Sequence, residues 1–145
     1  MNDMSPRQRL SKLLSAALFI STFGHASLVG AKTRQVLAGS FLDLSDAEVN
    51  LLARELLVEC QVALIEANGV NEARKLLFAI AGTPLHLAKE KAERLIGVHT
   101  AQLEAVPLPE IERILRDQDN RRREIHARQS RSSESRLQAE SPCLL

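Results

Sequence analysis

One histidine and two glutamates have a spacing that could suggest a metal site. His86, Glu90 and Glu93 lie within two helical turns, and His86 and Glu90 have the i, i+4 spacing that brings side chains together. The segment lacks the HExxH pattern of zinc hydrolases, and no further ligand is indicated. The spacing therefore favours a solvated polar pair, and we predict no cofactor. A small metal-dependent enzyme around His86 is the least favoured function that we consider.

Covalent and acid–base catalysis are not indicated either. Enzymes that use these kinds of catalysis need a nucleophile beside a base, paired carboxylates in a cleft, or a cofactor-binding loop. The sequence has no GxSxG motif and no phosphate-binding glycine loop. Cys60 lies on the apolar side of a predicted helix, as a buried cysteine does, with a disulfide to Cys143 as the alternative. His99 lies near another apolar row and is predicted to be half-buried and hydrogen-bonded. We therefore predict a protein that is not an enzyme.

Arginine is concentrated towards the C-terminus. Residues 113–136 contain 8 arginines and 4 acidic side chains, whereas residues 27–112 contain 8 basic and 12 acidic side chains. A solvated helix and tail is the simplest interpretation, and an acidic protein surface, including that of a second copy, is the next. Nucleic acid is less favoured because the run is interrupted by carboxylates and has no aromatic residue on which bases could stack. The candidate partner-binding residues are Arg113, Arg116, Arg121, Arg122, Arg123 and Arg128.

The N-terminus has the layout of a secretory signal. Three basic residues within the first twelve precede an uncharged stretch at 13–23. Gly24 and Ala26 place small side chains where a signal peptidase requires them, which predicts cleavage between Ala26 and Ser27. The stretch is shorter than the roughly 20 apolar residues of a membrane span, so any contact with a membrane is expected to be transient.

The same segment could instead be the first helix of a cytosolic bundle. Helical spacing is kept by Leu10, Leu13, Leu14, Ala17 and Leu18. At about 100° per residue, however, the rings of Phe19 and Phe23 point away from that row. A helix that is apolar on every side is typical of an export signal or of a fully buried helix. We favour the export signal.

Amphipathic helices joined by short connections account for the rest of the chain. Apolar residues recur every three or four positions, and no segment alternates as a β-strand does. The sequence predicts an all-α fold, a small bundle of about four or five helices with a signal-like N-terminal helix and a disordered C-terminal tail beyond about residue 128. The helices are predicted at 27–39, 45–67, 71–82, 83–105 and from 109 onwards.

Several helix ends are marked by specific residues. Ser45 and Glu48 have the spacing of a capping box, in which each side chain bonds the other's backbone N–H, and Leu44 can pack as a hydrophobic staple. Asn68 and Gly69 tolerate the left-handed conformation that ends a helix. These residues predict a long amphipathic helix between two well-defined ends.

A helix-turn-helix is a second interpretation of residues 71–96, with Gly82 at the turn and 84–95 as the recognition helix. Glu90 and Glu93 lie on that helix beside three basic residues, so its charge does not favour phosphate. An ordinary helical hairpin is therefore the better prediction.

These patterns predict a signal peptide at 1–26, a helical domain at 27–115, and an arginine-rich helix extension with a disordered tail at 116–145. The favoured function is a non-enzymatic accessory or adaptor protein, periplasmic or secreted, that binds a protein partner or itself through helix faces. A role in an envelope secretion or conjugation apparatus would fit by analogy alone. The alternative is a cytoplasmic oligomeric regulator that contacts nucleic acid through its arginine-rich segment.

Overall fold

The computed structural model describes residues 4–39, 41, 44–77 and 85–140, without the side chains of residues 77, 85, 88 and 129–140. All regular elements in these ranges are helical, which confirms the all-α prediction. The described residues form six α-helices, where about four or five helices with a signal-like N-terminal helix were predicted: α1 (Pro6–Phe23), α2 (Ala31–Ala38), α3 (Asp46–Asn68), α4 (Val70–Leu77), α5 (Ala88–Glu104) and α6 (Leu108–Glu140). Short 3-10 turns span Ala26–Leu28 and Leu85–Leu87.

The helix α1 lies at the centre of the bundle, where it packs against α2, α3, α5 and α6. Phe19 and Phe23 are half-buried, and their rings stack with centroids 6.3 Å apart. The helix α1 is apolar on most sides, and other helices surround it on most sides. This packing removes its apolar surface from water. All five residues that keep helical spacing are buried, together with two more apolar residues of α1, Ala16 and Ile20.

A capping box begins α1. The Ser5 hydroxyl accepts a hydrogen bond from the Gln8 backbone N–H at 3.2 Å, and the Gln8 side-chain oxygen accepts one from the Ser5 N–H at 3.0 Å. Pro6 occupies the first turn, where its missing N–H has no partner to lose. Gly24 ends the helix with a φ of 96°, a value that favours glycine. Both ends of α1 are therefore encoded locally.

The helix between α1 and α3 is shorter than predicted. Residues 26–28 form a 3-10 turn and Gly30 is the N-cap of α2, so the helix predicted at 27–39 begins only at Ala31. At α3, Ser45 accepts from the Glu48 N–H at 3.3 Å as predicted. The Glu48 carboxylate, however, accepts from the Ser45 hydroxyl at 2.9 Å rather than from a backbone N–H, so only half of the predicted capping box is formed.

The long helix α3 ends at Asn68, as predicted, and Gly69 follows with a φ of 88°. Asn68 and Gln102 tie this end to the next helices, because Asn68 donates to the Gln102 carbonyl at 3.0 Å and Gln102 donates to the Glu72 carbonyl at 2.6 Å. The predicted hairpin turn at Gly82 and the start of the helix predicted at 83–105 lie outside the described residues, which resume at residue 85.

The last helix, α6, is longer than predicted. It begins at Leu108 and continues to Glu140, through the region beyond residue 128 that was predicted to be disordered; residues 141–145 lie outside the described part. Packing continues past Leu115 because Gln118 is fully buried, Ile125 is buried, and the His126 ring stacks on Phe41 at 4.3 Å. The core thus draws on residues from Leu10 to Ile125.

Candidate functional site

The predicted arginine cluster does not form one surface. Arg113 and Arg121 turn towards α3, where both guanidinium groups contact the Glu59 carboxylate, at 3.2 and 2.6 Å. Arg121 also contacts Glu55 at 2.8 Å, and Arg113 contacts Asp117 at 2.9 Å. These two arginines connect α6 to α3 and are largely neutralised there.

Arg122 is the most enclosed of the predicted arginines that the structure describes with a side chain. Its guanidinium donates to the Leu37 carbonyl at 2.7 Å and to Asp119 at 3.2 Å, with 13% of the side chain exposed. Burial lowers the pKa of Arg122, and Asp119 opposes that effect. A Cβ at Gly39 would lie 2.8 Å from the Arg122 Nη1 atom, so the glycine makes room for this contact. Arg122 therefore fixes the end of α2 against α6.

The remaining predicted arginines stay on the surface. Arg116 and Arg123 are exposed, and Arg128 lies 3.6 Å from Glu124 on the same helix. The six candidates thus divide into three that hold the fold together and three that face solvent. Sequence spacing alone did not separate these groups, since their fate depends on the carboxylates and carbonyls of α2 and α3.

The Glu59 carboxylate is the centre of the α3–α6 ion pairs. Its side chain is only 9% exposed. Burial and the neighbouring Asp117 carboxyl raise the pKa of Glu59, while Arg121 opposes the rise. This set of charges is a structural contact between two helices.

Two residues of reactive type are enclosed. Cys60 is buried, as predicted, and desolvation raises the pKa of its thiol to about 12, so the thiolate nucleophile is suppressed. His99 is fully buried rather than half-buried, and its Nε2 lies 3.3 Å from the hydroxyls of both Ser11 and Ser15. Burial lowers the pKa of His99, which favours the neutral ring. Cys143 lies outside the described residues.

The residues with metal-ligand spacing lie on the surface. His86, Glu90 and Glu93 are all exposed. Across the described residues, no group of three or more His, Cys, Asp or Glu side chains could hold a metal ion. The same part of the chain contains no helix long and apolar enough to cross a bilayer.

The predicted cleavage site lies in the 3-10 turn between α1 and α2. Ala26 is fully buried, and its N–H donates to the Asn50 side-chain oxygen on α3 at 2.7 Å, while Ser27 is exposed. Upstream, Arg7 donates to the carbonyl oxygens of Leu103 and Val106 at the C-terminal end of α5. A cation at this position adds hydrogen bonds to carbonyls at the helix end and opposes the negative end of the helix dipole. Both ends of the predicted signal segment are therefore anchored to other helices.

An exposed apolar row on α3 is the feature that sequence reasoning missed. Val58 and Val62 are 60% and 58% exposed, and the half-buried Leu51 and Ile65 border them. The sequence contains a signal for this row, because these four apolar residues fall outside the row of α3 that was predicted to face the core. In an amphipathic helix that opposite side is normally polar. The row leaves apolar surface in water that burial against another surface would remove.

No protein-family model, curated protein or solved structure matches this chain. The function must therefore be argued from its own residues.

Proposed function

We propose that this protein is a non-enzymatic helical binding protein that docks onto a protein partner through the exposed apolar row of α3. The exposure of Val58 and Val62, four residues apart on a rigid helix, is the observation that carries the proposal. Because each valine is about 60% exposed, covering it on a partner stabilises a complex by about 1–2 kcal/mol for each side chain. The row is therefore suited to an adaptor.

The placement of the reactive side chains supports a role without catalysis. Cys60 is buried with a raised pKa, and the imidazole of His99 is sealed between α1 and α5. A substrate cannot reach either group without opening the bundle. The charged side chains around Glu59 likewise form ion pairs that join α3 to α6.

We also propose that the protein works with α1 in place. Leu10, Leu14 and Leu18 are fully buried, and Arg7 contacts the C-terminal end of α5. Loss of residues 1–26 would therefore remove core leucines and the arginine that caps α5. Export with cleavage before Ser27 is the competing proposal, and it requires a different folded state. The mass of the protein isolated from its native host separates the two, since retention predicts Met1 or Asn2 as the first residue and cleavage predicts Ser27.

A role in nucleic-acid binding has less support. Three of the six candidate arginines make their contacts within the bundle, which leaves Arg116, Arg123 and Arg128 for phosphates. The exposed face of α6 also carries Glu112 and Glu124. Protein contact through α3 is therefore the function that we favour.

Photo-crosslinking tests the docking surface. A photoreactive amino acid at Val62 should give a discrete crosslinked protein adduct in the native host. The same amino acid at Ala101, which is exposed on α5, is the matched control and should give none. An absence of adducts at both Val58 and Val62, with the protein folded and present at its normal level, would overturn the proposal.

A further inference from the structure

Four exposed residues form one continuous ridge along α3. Arg54, Val58, Val62 and Glu66 are spaced four residues apart, and all four side chains are exposed. Side chains four residues apart form the ridges by which helices pack into one another's grooves. The ridge has an apolar centre, a cation at its N-terminal end and an anion at its C-terminal end.

The two charges at the ends are available for a partner. Neither Arg54 nor Glu66 makes an ion pair with any other residue in the described part of the chain, in contrast to Arg113 and Arg121 on α6. Both lie the same distance from the midpoint of the ridge, which falls between Val58 and Val62. Opposite charges placed symmetrically about an apolar centre make a surface complementary to itself.

We propose that two copies of this chain pair through α3, with the helices antiparallel about a twofold axis that passes between Val58 and Val62. Antiparallel pairing puts each Val58 beside the partner's Val62, and each Arg54 beside the partner's Glu66. This is the self-complementary contact that a twofold dimer requires, because every contact then occurs twice. The ridge fits a second copy better than it fits a uniformly acidic or basic surface, which would repel one of its ends.

This inference rests on the proposed function, since it names the partner for the same surface. Leu51 and Ile65 border the ridge and widen the apolar contact. One helix face on each chain places the contact at the small end of specific interfaces, about 1,200 Å² in total or less. The association should therefore be reversible, with a Kd on the order of micromolar, and its extent should rise with protein concentration.

Sedimentation equilibrium of charge-reversal variants tests the pairing. The wild-type mass should rise with concentration towards twice the 16.0 kDa of one chain. Arg54→Glu and Glu66→Arg each place like charges together twice per dimer and should weaken the association at least about tenfold. Mixing these two variants should restore association, because every pair in the mixed dimer is again opposite in charge. The double variant R54E/E66R should restore the homodimer for the same reason.

Matched charge changes elsewhere serve as controls. Arg116→Glu and Glu112→Arg make the same charge changes at exposed positions of α6 and should leave the association unchanged. Circular dichroism checks that each variant keeps its helices, which is expected since all the changed side chains are exposed. Equal weakening by the α3 and α6 variants would assign the effect to net charge and overturn the proposal.

The outcomes separate this inference from the proposed function. A wild-type chain that stays at 16.0 kDa at millimolar concentration, with no association in the mixture of variants, overturns the dimer. In that case a crosslink from Val62 to a different protein would leave the docking function standing. A crosslinked product of two identical chains that is lost in R54E and regained in R54E/E66R supports both.

Discussion

At the scale of single residues, His99 is fully buried, so its protonation should destabilise the fold. Burial lowers its pKa from the ordinary 6.5, so the unfolded chain takes up a proton at a higher pH than the folded chain does. The stability that this difference provides is present above about pH 6.5 and is lost as the pH falls from there towards the lower folded-state pKa. The free energy of unfolding should therefore decrease between pH 7.5 and 5.5.

The variant His99→Gln measures how much of this decrease comes from the buried ring. Glutamine does not titrate, so urea denaturation at both pH values should show a flatter pH dependence, although the variant is less stable at pH 7.5. His86→Gln is the control, because His86 is exposed. If the wild type and His99→Gln lose stability in parallel on acidification, His99 is not the titrating group.

How well single residues could be predicted from the sequence depended on whether their surroundings were local. The burial of Cys60 and the hydrogen bonding of His99 followed from their places on helical apolar rows. The inward turn of Arg113 and Arg121 did not, because it depends on Glu55 and Glu59 across the helix pair. Arginines with similar sequence neighbours therefore ended in different environments.

For pairs of helices, the contact of α3 with α6 depends on Glu59. Glu59→Gln removes the charge that faces both Arg113 and Arg121, and it should lower the free energy of unfolding by about 1 kcal/mol, because the lost ion pairs outweigh the burial that raises the pKa of Glu59. The figure is below that of a fully buried pair because Arg113 is 42% exposed and water screens its charge. Glu112→Gln, at an exposed position on α6, should change stability by no more than about 0.5 kcal/mol. Equal effects in urea denaturation would contradict a structural role for Glu59.

The ends of a helix could be predicted where the sequence was interpreted as containing capping residues. Ser45 and Gly69 were recognised, and α3 begins and ends beside them. Ser5 and Gln8 carry an equally local signal, with Pro6 between them, and they mark the start of a helix inside the segment that was predicted to be an export signal. The helix beyond residue 128 was not predicted, because the sequence there is rich in serine and arginine and has few apolar residues.

At the level of the whole molecule, α1 decides whether the bundle can exist after cleavage. It contacts four other helices and supplies Leu10, Leu14 and Leu18 to the core with no exposed surface. Removing one such leucine side chain from a core costs about 2–5 kcal/mol, and a domain has only about 5–15 kcal/mol of net stability. Losing the whole helix would therefore cost more free energy of unfolding than the remaining contacts provide.

A chain that begins at Ser27 should therefore lack cooperative thermal unfolding and should show exposed apolar surface by dye binding. Adding a peptide of residues 4–26 should restore helicity and a sharp transition, because α1 carries its own caps at Ser5 and Gly24. The control is a chain that ends at Arg128, which keeps Ile125, the last residue of the described core, and should unfold cooperatively like the full chain. If the chain from Ser27 onwards unfolds cooperatively on its own with wild-type stability, α1 is dispensable, and the proposal that the protein works uncleaved is wrong.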